Sequence, residues 1–226
     1  MHYDPRHDKR PVQYDPFKSC TVPRPIGWLS TQSETGVRNL APFSQWQNLT
    51  FDPPLVMFAA NRYPDGRRKD TVVNAQTSGW FVWNMATWDL REAVNRSAQD
   101  FPPEVDEFAV AGVTPIDCVD APVSRVAESP CHFECRFRSC QHVEGNTPVG
   151  SVDVIFGEVV RIHVRDDVLT DEGKIDIPSI KPIARMGYYD YCVVDDVFEM
   201  RIPGGGAAAA GLEGRSLTAD RVDKKS

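Results

Sequence analysis

Lys69-Asp70-Thr71 stands where a small anion could be held. A helix opening there presents free backbone N–H groups and the positive end of its dipole, and both suit a phosphate. Lys69 adds a point charge and the Thr71 hydroxyl a hydrogen bond. The plain alternative is an ordinary helix cap flanked by solvated basic residues. Just upstream, Tyr63-Pro64-Asp65-Gly66-Arg67-Arg68 either brings two more cations or forms an exposed turn. A second segment, Asn39-Leu40-Ala41-Pro42-Phe43-Ser44, could meet the polar edge of a planar ring. Pro42 lacks an N–H and does not suit a central ladder, so the strand must end or lie at an edge there. Backbone groups freed between Ala41 and Ser44, with the Ser44 hydroxyl, then become available to a ligand. A strand that merely bends at proline is the alternative. Ser30-Thr31 offers two more hydroxyls at a strand end, where such residues often serve only the turn. Trp28, Phe43, Trp46, Tyr188 and Tyr189 could wall a flat ligand, although aromatics commonly belong to cores and interfaces.

Other chemistries find less support. Cys131, Cys135 and Cys140 lie near His132 and His142, which raises a zinc site. No C-x-x-C pair occurs, however, and strand alternation places Cys131, Phe133, Cys135 and Phe137 on one face. Cysteine in such a place acts as a small buried hydrophobe, so structural thiols and no metal are expected. The five histidines, His2, His7, His132, His142 and His163, fall in a terminal arm or on strands. There is no G-x-G-x-x-G, no H-E-x-x-H and no G-x-S-x-G.

The elements that must position these residues are mostly strands. Ile26 to Ser30 and Val37 to Ser44 form a pair joined by a turn at Glu34-Thr35-Gly36. Leu55 to Ala60 is a short apolar run after Pro53-Pro54, which favours a buried strand. Asp70 to Thr77 reads as a helix capped by Asp70 or Thr71 and ended at Gly79. Trp80 to Met85 is a strand, Asp89 to Ala98 a helix, and Glu104 to Ala111 a further helical turn with Phe108 inward. Extended segments follow at Ile116 to Val119, Cys131 to Val143 and Val149 to Val164. The last is apolar on both faces, as in a barrel wall, with Gly157 marking a bend or a close approach. Residues 1–20 read as a surface arm, 21–202 as the folded domain and 203–226 as a low-complexity tail that cannot offset its ordering entropy.

The 226 residues are 41% hydrophobic and 25% charged, a globular composition. A net charge of −7 argues against nucleic acid or anionic membrane as the main partner. No apolar run approaches the roughly 18 residues that span a bilayer, and no signal-peptide pattern opens the chain, so a cytoplasmic location is expected.

In order and spacing, Pro23-Arg24-Pro25-Ile26-Gly27-Trp28, Ser30-Thr31, Asn39 to Ser44, Asp52-Pro53-Pro54 and Lys69-Asp70-Thr71 together resemble the flavin reductase-like, FMN-binding split β-barrel family. The resemblance is clearest from Val22 to Asp120. It continues more weakly through Phe133-Glu134-Cys135, Phe156-Gly157-Glu158-Val159 and Arg185-Met186-Gly187-Tyr188-Tyr189-Asp190-Tyr191. It implies a mainly β fold, a split β-barrel with short helical insertions, in a homodimer that holds FMN. By position, Ser30, Thr31, Lys69, Asp70 and Thr71 would hold phosphate and ribityl. Asn39, Ala41, Pro42 and Ser44 would meet the ring, and Arg185 and Tyr189 would close the site. Ser44 is the expected catalytic contact. The implied activity is hydride transfer from NAD(P)H to flavin, with electrons passed to free flavin, a partner monooxygenase or another acceptor. A non-catalytic FMN electron carrier of the flavoredoxin kind is the alternative, and a barrel that has lost its flavin a third reading.

Overall fold

A computed structural model describes residues 1–200 and 203–204. The chain divides into one compact unit, Met1–Asp195, and a second stretch, Asp196–Ser226. The expected tail therefore lies almost wholly outside the described residues.

The strands of the compact unit are β1 (Arg24–Pro25), β2 (Gly27–Gln32), β3 (Arg38–Phe43), β4 (Trp46–Phe51), β5 (Pro54–Asn61), β6 (Trp80–Asn84), β7 (Pro115–Ile116), β8 (Arg125–Val126), β9 (Cys131–Val143), β10 (Val152–Val164), β11 (Ile183–Gly187) and β12 (Asp190–Val193). Among the described residues four short α-helices interrupt them, α1 (Asp70–Ser78), α2 (Arg91–Arg96), α3 (Glu107–Ala111) and α4 (Ile177–Ile180), with a 3-10 turn at Asp166–Val168. The fold is mainly β, as expected. Seven strands form one sheet in the order β3-β2-β6-β9-β10-β5-β4, and β1-β11-β12 form a smaller one beside it. No helix among the described residues is long and apolar enough to cross a membrane.

Local chemistry accounts for the elements that frame the site. The β2–β3 hairpin closes through Ser33 and Val37, with Gly36 in the left-handed region at φ 86°. Pro42 is tolerated because β3 is the outer strand of its sheet. The Leu40 N–H donates to the Glu107 carboxylate instead of to β2. Antiparallel alternation then turns the polar groups of Leu40, Pro42 and Ser44 away from the sheet. Helix α1 ends at Gly79 as expected. Its start differs from expectation: Lys69 is the cap residue, and no side chain caps it. The Thr71 hydroxyl is drawn instead to Asn39 Oδ1 at 2.7 Å. The extended reading of Ile116 to Val119 also shortens to Pro115–Ile116. Beyond it, the backbone N–H groups of Val119, Asp120 and Ala121 donate to the carboxylate of Glu134, so they are unavailable to a ladder.

Strand β10 buries Asp153, Ile155, Gly157 and Val159 on one face. Gly157 sits at a register shift, and a Cβ there would lie 2.4 Å from Phe81 Cζ. Phe81, Phe58, Ile155 and Cys135 belong to the same core cluster, and burial raises the Cys135 thiol well above its usual range. Gly157→Ala is accordingly expected to lower stability by about 1–3 kcal/mol through overpacking, read from the denaturant midpoint. A midpoint equal to that of the parent chain would mean that Phe81 yields without cost.

Candidate functional site

Outward-facing β3, the start of α1 and the segment after α2 enclose two adjoining cavities. The smaller, of about 80 Å³, is lined by Asn39, Ala41, Lys69, Asp70, Thr71 and Glu107 among others. The larger, of about 500 Å³, is lined by Ser44, Arg24, Arg185, Tyr188 and Tyr191, with Phe17 from the N-terminal arm. Pro42 and Ala98 belong to both, so the two form one groove.

A buried polar knot holds the narrow end. Asn39 Oδ1 accepts from Thr31 Oγ1 at 3.0 Å and from Thr71 Oγ1 at 2.7 Å. Asn74 Nδ2 donates to Thr31 at 3.3 Å. Asn39 Nδ2 and the Leu40 N–H both donate to Glu107 Oε2, at 2.7 and 2.6 Å. Thr31, Asn39, Thr71, Asn74 and Glu107 are all buried, so each bond is made where an unmade one would be costly. Burial lifts the Glu107 carboxyl to about 7, against the lowering effect of its two donors. Lys69 reaches across the mouth, with Nζ 2.6 Å from Asp100 and 3.6 Å from the centre of the Tyr63 ring. Burial likewise raises the Asp70 carboxyl above its ordinary value.

Most of the residues read from the sequence meet here. Asn39, Ala41, Pro42, Lys69, Asp70 and Thr71 line the narrow cavity, and Pro42, Ser44 and Arg185 the wide one. Ser30 and Thr31 line neither. Ser30 is buried, donating to the Ser124 carbonyl at 2.7 Å and accepting from Asn84. Tyr189 is 93% exposed and lines a different cavity beside Trp88 and Arg91, while its neighbours Tyr188 and Tyr191 face the groove. Trp28 and Trp46 are core residues: the first donates from its indole to Ser97, and the second stacks on Trp83. Sequence reasoning missed Glu107, whose signal is a carboxylate sharing a helix with inward-facing Phe108 and Ala111. It also missed Tyr63 and the Ala98–Asp100 segment, which carry no local pattern.

Residues 19–190 match the model of the Flavin reductase like domain. An uncharacterized protein of Halalkalibacterium halodurans is 34% identical over 203 residues, covering 90% of this chain and 97% of the relative. Among solved structures, nitrilotriacetate monooxygenase component B from Bacillus cereus superposes with a TM-score of 0.81 at 28% identity, covering 88% of this chain and 98% of its own. Flavoredoxin of Desulfovibrio vulgaris shares the fold, with a TM-score of 0.68 at 18% identity over 91% of this chain and 100% of its own.

Proposed function

Because the chain belongs to the flavin reductase-like domain family, we propose that it binds FMN along this groove and uses NAD(P)H to reduce it. Electrons then pass to free flavin, a partner monooxygenase or another acceptor, and a homodimer is part of the same reading. The observation that carries it is the single groove, in which a helix start with a lysine lies at one end and the edge strand β3 along the side.

The residues present fit the cofactor in kind. No side chain caps α1, which leaves its first N–H groups for an oxyanion. Lys69 supplies charge by exchanging the exposed Asp100 for a phosphate; their present pairing is a weak surface contact. Thr71 and Asn39 spend their side chains on each other, so they set the cradle's shape, with Thr31 locking Asn39 from behind and Ser30 fixing β2. Along β3 the outward groups near Ala41 to Ser44 suit the polar edge of a ring, and Pro42 and Ala98 give it an apolar wall. Arg185 closes the wide end. When bound, FMN supplies the hydride-accepting ring, so the protein needs no acid–base pair of its own. Ser44, which lines the wide cavity, would donate a hydrogen bond to the ring edge and favour negative charge there.

Anaerobic titration of the FMN-loaded full chain with NADH and with NADPH tests the reading. Loss of the visible flavin band with one of them is expected. A chain that takes up no FMN would overturn it, and a yellow chain that neither donor bleaches would be an electron carrier. Ser44→Ala should slow bleaching about 10-fold, the worth of one hydrogen bond to charge; unchanged bleaching and FMN affinity would make Ser44 an ordinary strand residue.

A further inference from the structure

Arg24 and Arg185 are direct partners across the β1–β11 pair, and both line the wide cavity. Like charges directly opposite one another destabilise a sheet pair. Among the described residues neither guanidinium has a carboxylate partner. Arg24 donates to the carbonyls of Lys18 and Thr21, while its buried Nε has no partner. Arg185 donates to the Tyr191 hydroxyl at 2.6 Å and to the Tyr188 carbonyl, with its guanidinium 4.6 Å from the centre of the Tyr191 ring. Tyr188 presents that carbonyl from the left-handed region, at φ 47°, a conformation costly for a tyrosine.

Three unfavourable arrangements thus converge on one wall: opposed cations, an orphaned buried donor and a strained backbone. Lys18 adds a third cation to the lining, and the acid there, Asp15, lies 3.7 Å from Arg10. This is a positive cavity in a chain of net charge −7. A bound anion relieves the repulsion between the two guanidinium groups. Two planar forks match a carboxylate better than they match a point charge. Beside them, Ile26, Pro42 and the tyrosine rings offer flat apolar surface, which suits an aromatic body.

We propose that Arg24 and Arg185 receive the carboxylate of a small aromatic acid, bound in the wide cavity next to the flavin. The proposal deepens the reading above in naming what lies beside FMN, but the arginine pair stands without it. Calorimetric titration of the full chain with benzoate, before and after loading with FMN, is the test. Benzoate is expected to bind the flavin-free chain, and Arg24→Gln to weaken it at least 10-fold. Arg24→Lys, which keeps charge but loses the fork, should weaken it less, and it serves as the variant if Arg24→Gln does not fold. Neutral benzyl alcohol should bind at least 10-fold more weakly than benzoate. Equal benzoate affinity in both Arg24 variants and the parent chain, or equal affinity for benzyl alcohol, would overturn the proposal. So would inorganic phosphate binding more tightly than benzoate and displacing it, which would make the pair a phosphate site. Benzoate binding to a chain that refuses FMN would sink only the flavin reading; FMN binding without benzoate binding would sink only this one.

Discussion

Glu134→Ala is expected to cost about 3–5 kcal/mol, a large fraction of the stability of an ordinary domain. Glu134 is fully buried, yet its carboxylate accepts four hydrogen bonds. Oε1 takes the Val119 N–H at 2.9 Å and His163 Nε2 at 2.6 Å; Oε2 takes Asp120 and Ala121 at 2.7 and 2.8 Å. Alanine would strand three backbone donors at once and release the segment that crosses from β7 to β8. Burial by itself would raise this carboxyl, but the N–H groups and His163 overcome it and bring it down to about 2. A carboxyl depressed on folding stabilises above its ordinary value near 4.5 and loses that contribution as pH falls through 2. Acid unfolding of the parent chain should therefore steepen below pH 4.5, and the alanine variant should lack this component. Urea midpoints at neutral and acidic pH measure both; an unshifted neutral midpoint would show that water can replace the carboxylate.

Glu107→Gln should act in the opposite direction at neutral pH. Both donors, from Asn39 and Leu40, converge on Oε2 alone. Glutamine can keep that oxygen and turn its amide nitrogen toward the cavity. The Glu107 carboxyl is raised to about 7, chiefly by burial. A carboxyl raised on folding gives stability that is complete below about 4.5 and is lost as pH climbs through 7. Between pH 5 and 8 the parent chain should thus lose on the order of 3 kcal/mol that the glutamine variant retains. Thermal midpoints across that range decide it, and parallel pH profiles for the two proteins would refute the assignment. Glu107→Ala should destabilise at every pH, because two buried donors are then orphaned.

Where structure follows from neighbouring residues, the sequence was readable. The β2–β3 hairpin, the stop of α1 at Gly79 and the full run of β9 from Cys131 to Val143 all answer to turn chemistry and alternation. The order of the segments between Pro23 and Thr71 also revealed the family. What local pattern could not show were contacts across long separations. Glu107 lies 68 residues from Asn39, and Ser124 lies 94 from Ser30. Such partners engage the Asn39 and Ser30 side chains in buried hydrogen bonds. Similarly, the left-handed backbone at Tyr188 re-aims the tyrosines after Gly187, so Tyr188 and Tyr191, and not Tyr189, face the groove.

The strip formed by Pro42 and Ala98 has a thermodynamic consequence. Because it walls both cavities, a molecule in one lies against the same surface as a molecule in the other. Filling either cavity dries part of its neighbour before a second guest arrives. Whatever factor the first occupant applies to the affinity of the second must be returned unchanged in the reverse order of addition. Any departure from independence between two ligands sharing this strip must therefore be equal whichever binds first.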